Sequence, residues 1–423
     1  MMMKLKHILS TILNGGFGHV FTGNLMVNIF AIGIQFFVAN IVGPEDLGLI
    51  KTIQSYFGIL IIFVTFGFTT VLMKEIPLIS SRKEQDKLFN YSIRIVTRMF
   101  LVVYIMMFIG SVLNVFSFEN NIRLFNMIYL LGLFPLSYNS LRGVFLQARK
   151  KFKDNSKILI RSKFVSIILI FVLTWFYKTI GFVIGSVLGY CITSYWYYQF
   201  SDKTQKVNEP IFNKEKIWRT AVISMFTFLT GKGAVFLDMI LLTYFSSNDL
   251  LIGYFGFAIT LISGLNILSQ SVQEYLTPNI SSKALNVKLF KNYLISKQLI
   301  FIAVIIVVSL LAYLLLPSVL TLLFPKYQES GTFFNLLLIS WVFRSSYALN
   351  NTGLVALGRI DLCLKQNIIT TVVSICFLIL LITKFGVLGA AYARIIATVV
   401  GLILSILFLK YVYKINYASE DFK

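Results

Sequence analysis

The chain has 423 residues, of which 57% are hydrophobic and 13% are charged, and its mean hydropathy is +0.81. A soluble domain carries about 25% charged residues, so this composition excludes a soluble globular protein and indicates an integral membrane protein. Basic loops between membrane spans account for the net charge of +21, which makes a nucleic-acid partner unnecessary.

Twelve apolar stretches have lengths suited to crossing a bilayer, which takes roughly 20 helical residues. They lie near residues 22–42, 47–73, 91–113, 124–147, 158–177, 179–200, 217–246, 251–277, 296–316, 333–357, 366–383 and 386–409. The sequence therefore predicts an all-α polytopic membrane protein with about 12 transmembrane helices. In the sixth span, the glycines Gly181, Gly185 and Gly189 are spaced for close helix packing.

The basic residues predict the topology. Most of them, including the run from Arg149 to Lys163, fall in loops on one side, whereas Arg123, Lys178, Lys326 and Lys384 fall on the other. The positive-inside rule makes the first side cytoplasmic, and an even number of spans then places both termini there.

The two halves of the chain resemble each other weakly. EDLGLIKTIQSYFG at 45–58 opens the second span, NDLLIGYFGFAIT at 248–260 opens the eighth, and later matches keep nearly the same offset. Such a repeat is typical of transporters. We therefore predict two pseudo-symmetric six-helix bundles, at 1–200 and 217–423, joined by a cytoplasmic linker at 201–216.

Charged residues inside the spans are the main functional signal, because each costs about 2.5–3.5 kcal/mol to insert. Lys232 and Arg344 lie near mid-span, Arg394 lies about a turn further out, and Asp238 is the only acid well inside. Lys232 and Asp238 are too far around an ideal helix to pair, unless the glycines beside Lys232 unwind it. Cations thus outnumber acids, which favours a hydrated cavity that accepts an anion.

Other in-span polar residues have two explanations. Polar stripes on the first, second and eighth spans suit either a cavity wall or hydrogen bonds between helices. Snorkelling to the cytoplasmic interface is favoured for Arg94, Arg98 and Arg142. The predicted substrate contacts are Lys232, Arg344, Arg394, Lys51, Asn24, Asn28 and Gln270, and the predicted charge-balancing or ion-coupling residues are Asp238 and Glu274.

The sequence lacks the motifs that would indicate nucleotide hydrolysis, metal binding or an extracytoplasmic catalytic domain. The chain has no Walker motif, its cysteines and histidines are not in metal-ligand spacing, and its outer loops are short. We therefore expect no cofactor or metal and no enzymatic activity. A membrane-embedded glycan polymerase or glycosyltransferase is disfavoured, because it would need a sizeable outer loop.

The stretch ANIVGPEDLGLIKTIQSYFGILIIFVTFGFTTVLMKEI at 39–76 resembles the opening of polysaccharide flippases. The shared features are Gly-Pro-Glu in a short outer loop, a following Leu-Gly, and a helix that ends in a basic-acidic pair. These are the Wzx-type O-antigen transporters of the multidrug/oligosaccharidyl-lipid/polysaccharide exporter superfamily. The resemblance implies a V-shaped, MATE-like fold with a cavity lined by the first, second, seventh and eighth helices.

The resemblance also implies a function. It is the alternating-access transfer of undecaprenyl-pyrophosphate-linked oligosaccharide repeat units, for O-antigen or capsule, from the cytoplasmic to the periplasmic leaflet of a bacterial inner membrane. Membrane lipids, H⁺ or Na⁺ as coupling ion, and a polysaccharide polymerase are the expected partners. The alternative is a cation-coupled small-molecule or multidrug exporter of the same fold, although a cationic cavity argues against cationic drugs.

Overall fold

The computed structural model describes residues 30–113, 120–200, 213–246, 248–281, 283 and 287–420, and almost all of them are helical. Fourteen α-helices lie within these ranges. They are α1 Phe30–Ile41, α2 Pro44–Thr65, α3 Phe68–Glu75, α4 Arg82–Val112, α5 Asn120–Leu131, α6 Leu133–Ala148, α7 Phe152–Phe200, α8 Lys214–Phe228, α9 Ala234–Phe245, α10 Asp249–Ser281, α11 Val287–Leu323, α12 Ser330–Ala356, α13 Ile360–Phe385 and α14 Val387–Glu420.

The helices confirm the predicted all-α polytopic class. By length and composition, eight of the described helical segments can cross a membrane, and the broken pair Lys214–Gly231 and Ala234–Phe245 makes a ninth if it is one span. This number is smaller than the predicted twelve in part because the fifth and sixth predicted spans are counted together as Phe152–Phe200, and Phe30–Ile41 of the first predicted span is too short to be counted. The fourth span is built from α5 and α6, which meet at Gly132.

The 49-residue helix α7 contains two predicted spans. Lys178 interrupts it with φ of 48° and ψ of −126°, which is a non-helical conformation. On the two sides of this break, the backbone of Gly181 lies against Leu173, that of Gly185 against Ile170, and that of Gly189 against Ser166. A Cβ at any of the three glycines would be too close, so the prediction of close helix packing is confirmed.

The described residues form two compact units. The first consists of described residues within Met1–Val42 and Ile53–Leu229, and the second of those within Gly43–Thr52 and Thr230–Lys423. The chain passes from one unit to the other at three places: just before α2, inside α2, and in the turn between α8 and α9. Residues 201–212 of the predicted linker lie outside the described ranges, and the predicted bundle boundaries stay a prediction.

In the first unit, aromatic rings hold a buried arginine. Arg142 is only 3% exposed, and its guanidinium carbon lies 4.9 Å from the ring centre of Phe89 and 5.5 Å from that of Phe145. The prediction that Arg142 snorkels to the interface is therefore wrong, because ring faces stabilise the guanidinium inside the unit. Arg94 and Arg98 are exposed, as snorkelling requires.

In the second unit, the start of α2 packs closely on α10. The backbone of Gly253 lies directly against the Pro44 carbonyl group, and Gly48 faces Gly253 from the next turn of α2. One turn further on, the hydroxyl oxygens of Thr52 and Thr243 are 2.9 Å apart and join α2 to α9. The first residues of α2 are thus fixed to the second unit through backbone contact that only glycine permits.

We predict that Gly253→Ala destabilises the protein, because the added methyl group would overlap the Pro44 carbonyl oxygen. Overpacking of this kind costs about 1–3 kcal/mol, so the melting temperature of the detergent-purified protein should fall. Gly264→Ala is the matched control on the same helix, since no atom lies within 4 Å of the added methyl group. Equal melting temperatures for the two variants would contradict this packing.

Candidate functional site

The seventh predicted span is broken where the sequence places two glycines. Residues Leu229–Gly233 form a π-helical turn between α8 and α9. Such turns loosen the backbone hydrogen-bond ladder and occur often at functional sites. The Thr371 hydroxyl of α13 lies 2.8 Å from the Thr230 carbonyl oxygen and 2.7 Å from that of Asn367, so it can donate to either. A polar side chain of α13 can thereby satisfy a backbone carbonyl oxygen of the π-helical turn.

A buried ion pair lies just beyond this break. The Nε atom of Arg394, on α14, is 2.8 Å from Oδ2 of Asp238, on α9, and the two side chains are 16% and 3% exposed. The N–H of Arg394 is not aligned on that oxygen, so the contact is an ion pair rather than a well-directed hydrogen bond. The carboxylate neutralises Arg394 and keeps capacity to accept further hydrogen bonds.

Asp238 and Arg394 form part of the wall of a polar cavity of about 560 Å³, a volume that includes its open mouth. Four elements of the second unit, α9, α12, α13 and α14, contribute to the wall together with the π-helical turn. The polar and charged lining residues are Thr230, Asp238, Arg344, Tyr347, Asn367, Thr370, Thr371, Ser374, Arg394 and Thr398. We call this space the arginine cavity.

Arg344 is the second guanidinium in the arginine cavity. It extends from α12, is exposed, and forms no ion pair with any carboxylate that the structure describes. An adjoining cavity shares Arg344 and Arg394 and adds Asn266 of α10 to the same region. Arg344 is thus close enough to Asp238 to interact with it electrostatically but lies beyond ion-pair distance, so its N–H donors face the arginine cavity.

Five of the predicted site residues can be compared with this geometry. Asp238, Arg344 and Arg394 lie together around the arginine cavity. Lys51 packs its aliphatic carbons beside Gly256 of α10, and Gln270 is exposed on α10; neither is among the lining residues of the arginine cavity or the adjoining one. Their predicted contact with substrate stays a prediction.

The remaining four predicted residues are not described in full. Asn24 and Asn28 precede the described residues. Lys232 lies in the π-helical turn and Glu274 in α10, but their side chains are outside the part of the chain that the structure describes.

Sequence reasoning missed the contribution of α13. Asn367, Thr370, Thr371 and Ser374 recur at intervals of three or four residues and all line the arginine cavity. This spacing places them on one face of a helix, so the stripe was visible in the sequence as a signal of the same kind as those on the other spans.

Comparison with known proteins identifies the group to which this architecture belongs. Residues 15–284 match the family model described as Polysaccharide biosynthesis protein. The chain is 24% identical over 412 residues to an uncharacterized membrane protein of Methanocaldococcus jannaschii, with 89% of this chain and 80% of the relative covered.

Solved structures of two transporter groups share the fold. An inward-facing multidrug resistance MATE family transporter of the MOP superfamily matches with a TM-score of 0.74 at 14% identity, covering 92% of this chain and 96% of its own. The lipid II flippase MurJ in an inward closed conformation matches with a TM-score of 0.75 at 16% identity, covering 92% and 87%. These likenesses confirm the predicted MATE-like fold.

We predict that Asp238→Asn destabilises the protein, because it leaves the largely buried Arg394 without its counter-charge. Breaking a buried ion pair costs up to about 3–5 kcal/mol, and the partial exposure of Arg394 reduces that figure. Thermal unfolding of the single variants and of Asp238→Asn/Arg394→Gln forms a double-mutant cycle, in which the double variant should recover part of the loss.

The exposed pair Arg359–Asp361, at 3.1 Å with side chains 33% and 51% exposed, is the matched control. Exposed pairs contribute about 0–1 kcal/mol, so the same cycle there should give almost no coupling. Equal coupling free energies at the two pairs would show that the Asp238–Arg394 contact contributes no more to stability than an exposed ion pair.

Proposed function

Because this chain belongs to the polysaccharide biosynthesis protein family, we propose that it is a flippase for undecaprenyl-pyrophosphate-linked oligosaccharide repeat units. It is a multi-pass membrane protein with a transporter fold. The proposed reaction carries the glycan of an O-antigen or capsule precursor from the cytoplasmic to the periplasmic leaflet of a bacterial inner membrane. Both termini would then lie in the cytoplasm, as the basic loops predict.

The observation that carries this proposal is the presence of two guanidinium groups, Arg344 and Arg394, and one described carboxylate, Asp238, in the wall of one polar cavity. A diphosphate loses much of its hydration when it enters a membrane protein, and charge-assisted hydrogen bonds are the strongest available replacement. A guanidinium can grip phosphate oxygens through two parallel N–H donors. Arg344 is placed to make this contact without first breaking an ion pair with a described carboxylate.

Arg394 would become a second cation for the substrate when its ion pair with Asp238 weakens. In the empty cavity Asp238 neutralises Arg394, which keeps the cost of the buried charges low. A diphosphate that accepts hydrogen bonds from Arg394 would compete with Asp238 and weaken the pair. Asp238 would then need a new counter-charge, and H⁺ or Na⁺ is the simplest one. Binding of substrate and of a coupling ion would be linked through this carboxylate.

The prenyl chain requires no polar site, because it can remain in the lipid while the headgroup crosses. Alternating access would expose the headgroup first to the cytoplasmic and then to the periplasmic side. A polysaccharide polymerase acting on the periplasmic product is the expected downstream partner.

We predict that Arg344→Gln weakens binding of undecaprenyl diphosphate by about tenfold or more, which corresponds to the loss of about 1.4 kcal/mol. The protein is held in nanodiscs, and binding is measured by native mass spectrometry with undecaprenol as the uncharged reference. Arg98→Gln, at an exposed position on α4, is the control and should leave binding unchanged.

The same variants test transport. In a strain that lacks the gene, wild type and Arg98→Gln should restore surface polysaccharide, and Arg344→Gln should restore much less. Full restoration by Arg344→Gln would contradict the role of Arg344. Changed drug susceptibility in the deletion strain, with polysaccharide unaffected, would instead favour the exporter of small molecules.

A further inference from the structure

The first unit contains a second cavity, of about 680 Å³ with its mouth included, whose lining is more apolar than that of the arginine cavity. It is lined by parts of α1, α2, α5 and both halves of α7. Its polar lining residues are Gln35, Gln54, Tyr129, Lys163, Ser166, Ser186, Tyr190 and Thr193, and none of its lining residues is acidic. We call this space the lysine cavity.

Lys163 is the one cation in the wall of the lysine cavity among the residues described. The sequence grouped it with cytoplasmic loop charges, but it lies inside α7, about 17 Å along the helix from Phe152 at 1.5 Å per residue. It forms no ion pair with any described carboxylate. A lysine within an apolar membrane-spanning helix is costly where it meets hydrocarbon, and is retained where it faces a partner, a substrate or water.

The other polar groups of the lysine cavity suit hydroxyl groups. The phenol oxygens of Tyr129 and Tyr190 lie 3.4 Å apart, and phenols and amides can both donate and accept hydrogen bonds. The hydroxyls of Ser166 and Thr193 donate to backbone carbonyl oxygens and keep lone pairs that can accept. The rings of Phe57 and Tyr129, 4.6 Å apart, give the region an apolar side as well. A ring that carries hydroxyls at its edge and C–H groups on its faces matches this mixture.

Because the two halves of the chain resemble each other, the lysine cavity and the arginine cavity can be compared span by span. The lysine cavity is lined by the first, second, fourth, fifth and sixth predicted spans, and the arginine cavity by the seventh, tenth, eleventh and twelfth. Four of these spans correspond between the halves, yet the charged groups differ. One lysine is a point charge suited to one negative charge, whereas two arginines suit the several oxygens of a diphosphate.

We propose that the lysine cavity binds an acidic sugar of the transported glycan, with Lys163 contacting its carboxylate or other oxyanion. The proposal rests on the flippase function and adds a class of substrate to it. The tyrosines and amides, and the lone pairs of the hydroxyls, would contact ring hydroxyls. The charge of Lys163 would make the cavity select glycans that contain an acidic residue.

The test compares two lipid-linked probes that differ by one carboxylate. Undecaprenyl diphosphate carries either a glucuronosyl-glucose or a glucosyl-glucose disaccharide, and the full-length protein is held in phosphatidylcholine nanodiscs. Wild type should bind the acidic probe about tenfold more tightly than the neutral one, the scale of one charge-assisted contact. In Lys163→Met this preference should disappear while affinity for the neutral probe stays unchanged.

Two further variants make the result specific to Lys163. Lys163→Arg keeps the charge and should keep the preference, and Lys153→Met, at an exposed position of α7, should match wild type. Lys163→Gln serves the same purpose as Lys163→Met if the latter fails to fold. A preference that persists without the Lys163 charge, or no preference in wild type, overturns the proposal.

The remaining outcomes separate the sources of the anion and the two proposals. If phosphatidylglycerol in the nanodisc abolishes the Lys163-dependent preference, the cavity holds a lipid headgroup and the assignment to a sugar is overturned. Equal binding of the two probes overturns the acidic-sugar site alone, whereas failure of wild type to bind either probe overturns the flippase function as well.

Discussion

The ion pair between Asp238 and Arg394 is the interaction on which the chemistry of the arginine cavity depends. Charges inside a membrane protein need a counter-charge, a ligand or water, because hydrocarbon offers none of them. Asp238 forms its ion pair with Arg394, and Arg344 lies beyond ion-pair distance of the same carboxylate. The cavity therefore holds one neutralised guanidinium and still presents a second one. A carboxylate-rich wall would reject phosphate, and a wall without Asp238 would hold two uncompensated arginines.

The π-helical turn and α13 make this arrangement possible. The break at Leu229–Gly233 interrupts the seventh span where the cavity forms, and the Thr371 hydroxyl lies within hydrogen-bond distance of the Thr230 carbonyl oxygen in that turn. The polar stripe on α13 then continues along the cavity wall. In membrane proteins irregular backbone is tolerated where it is covered by protein or lines a cavity, and this turn meets both conditions. Local backbone geometry and the polarity of the neighbouring helix thus depend on each other.

The two units show how a repeated fold can hold different chemistry. Corresponding spans line the lysine cavity in one unit and the arginine cavity in the other. Close glycine contacts position the helices in both units, as at Gly189 against Ser166 and at Gly253 against Pro44. Because these contacts fix the backbone, the polar side chains of the cavities are free to differ. Under the proposed function, the two cavities would contact chemically distinct parts of a lipid-linked glycan.

The sequence by itself determined the membrane class, the helical content and the approximate spans. Exposing polar groups to lipid is costly, so each span must be an apolar run long enough to cross the hydrocarbon core. It also identified Asp238, Arg344 and Arg394, since a charged residue within an apolar run can be recognised from the sequence without knowing its neighbours in space. Only the tertiary structure decided which partners these charges have. Arg394 and Asp238 are far apart in sequence but 2.8 Å apart in space. Arg142 is buried and Lys163 lines a cavity, which their positions near span ends did not reveal. Pairing and burial depend on how helices pack against each other, and the period of a single helix does not encode the identity of its neighbours.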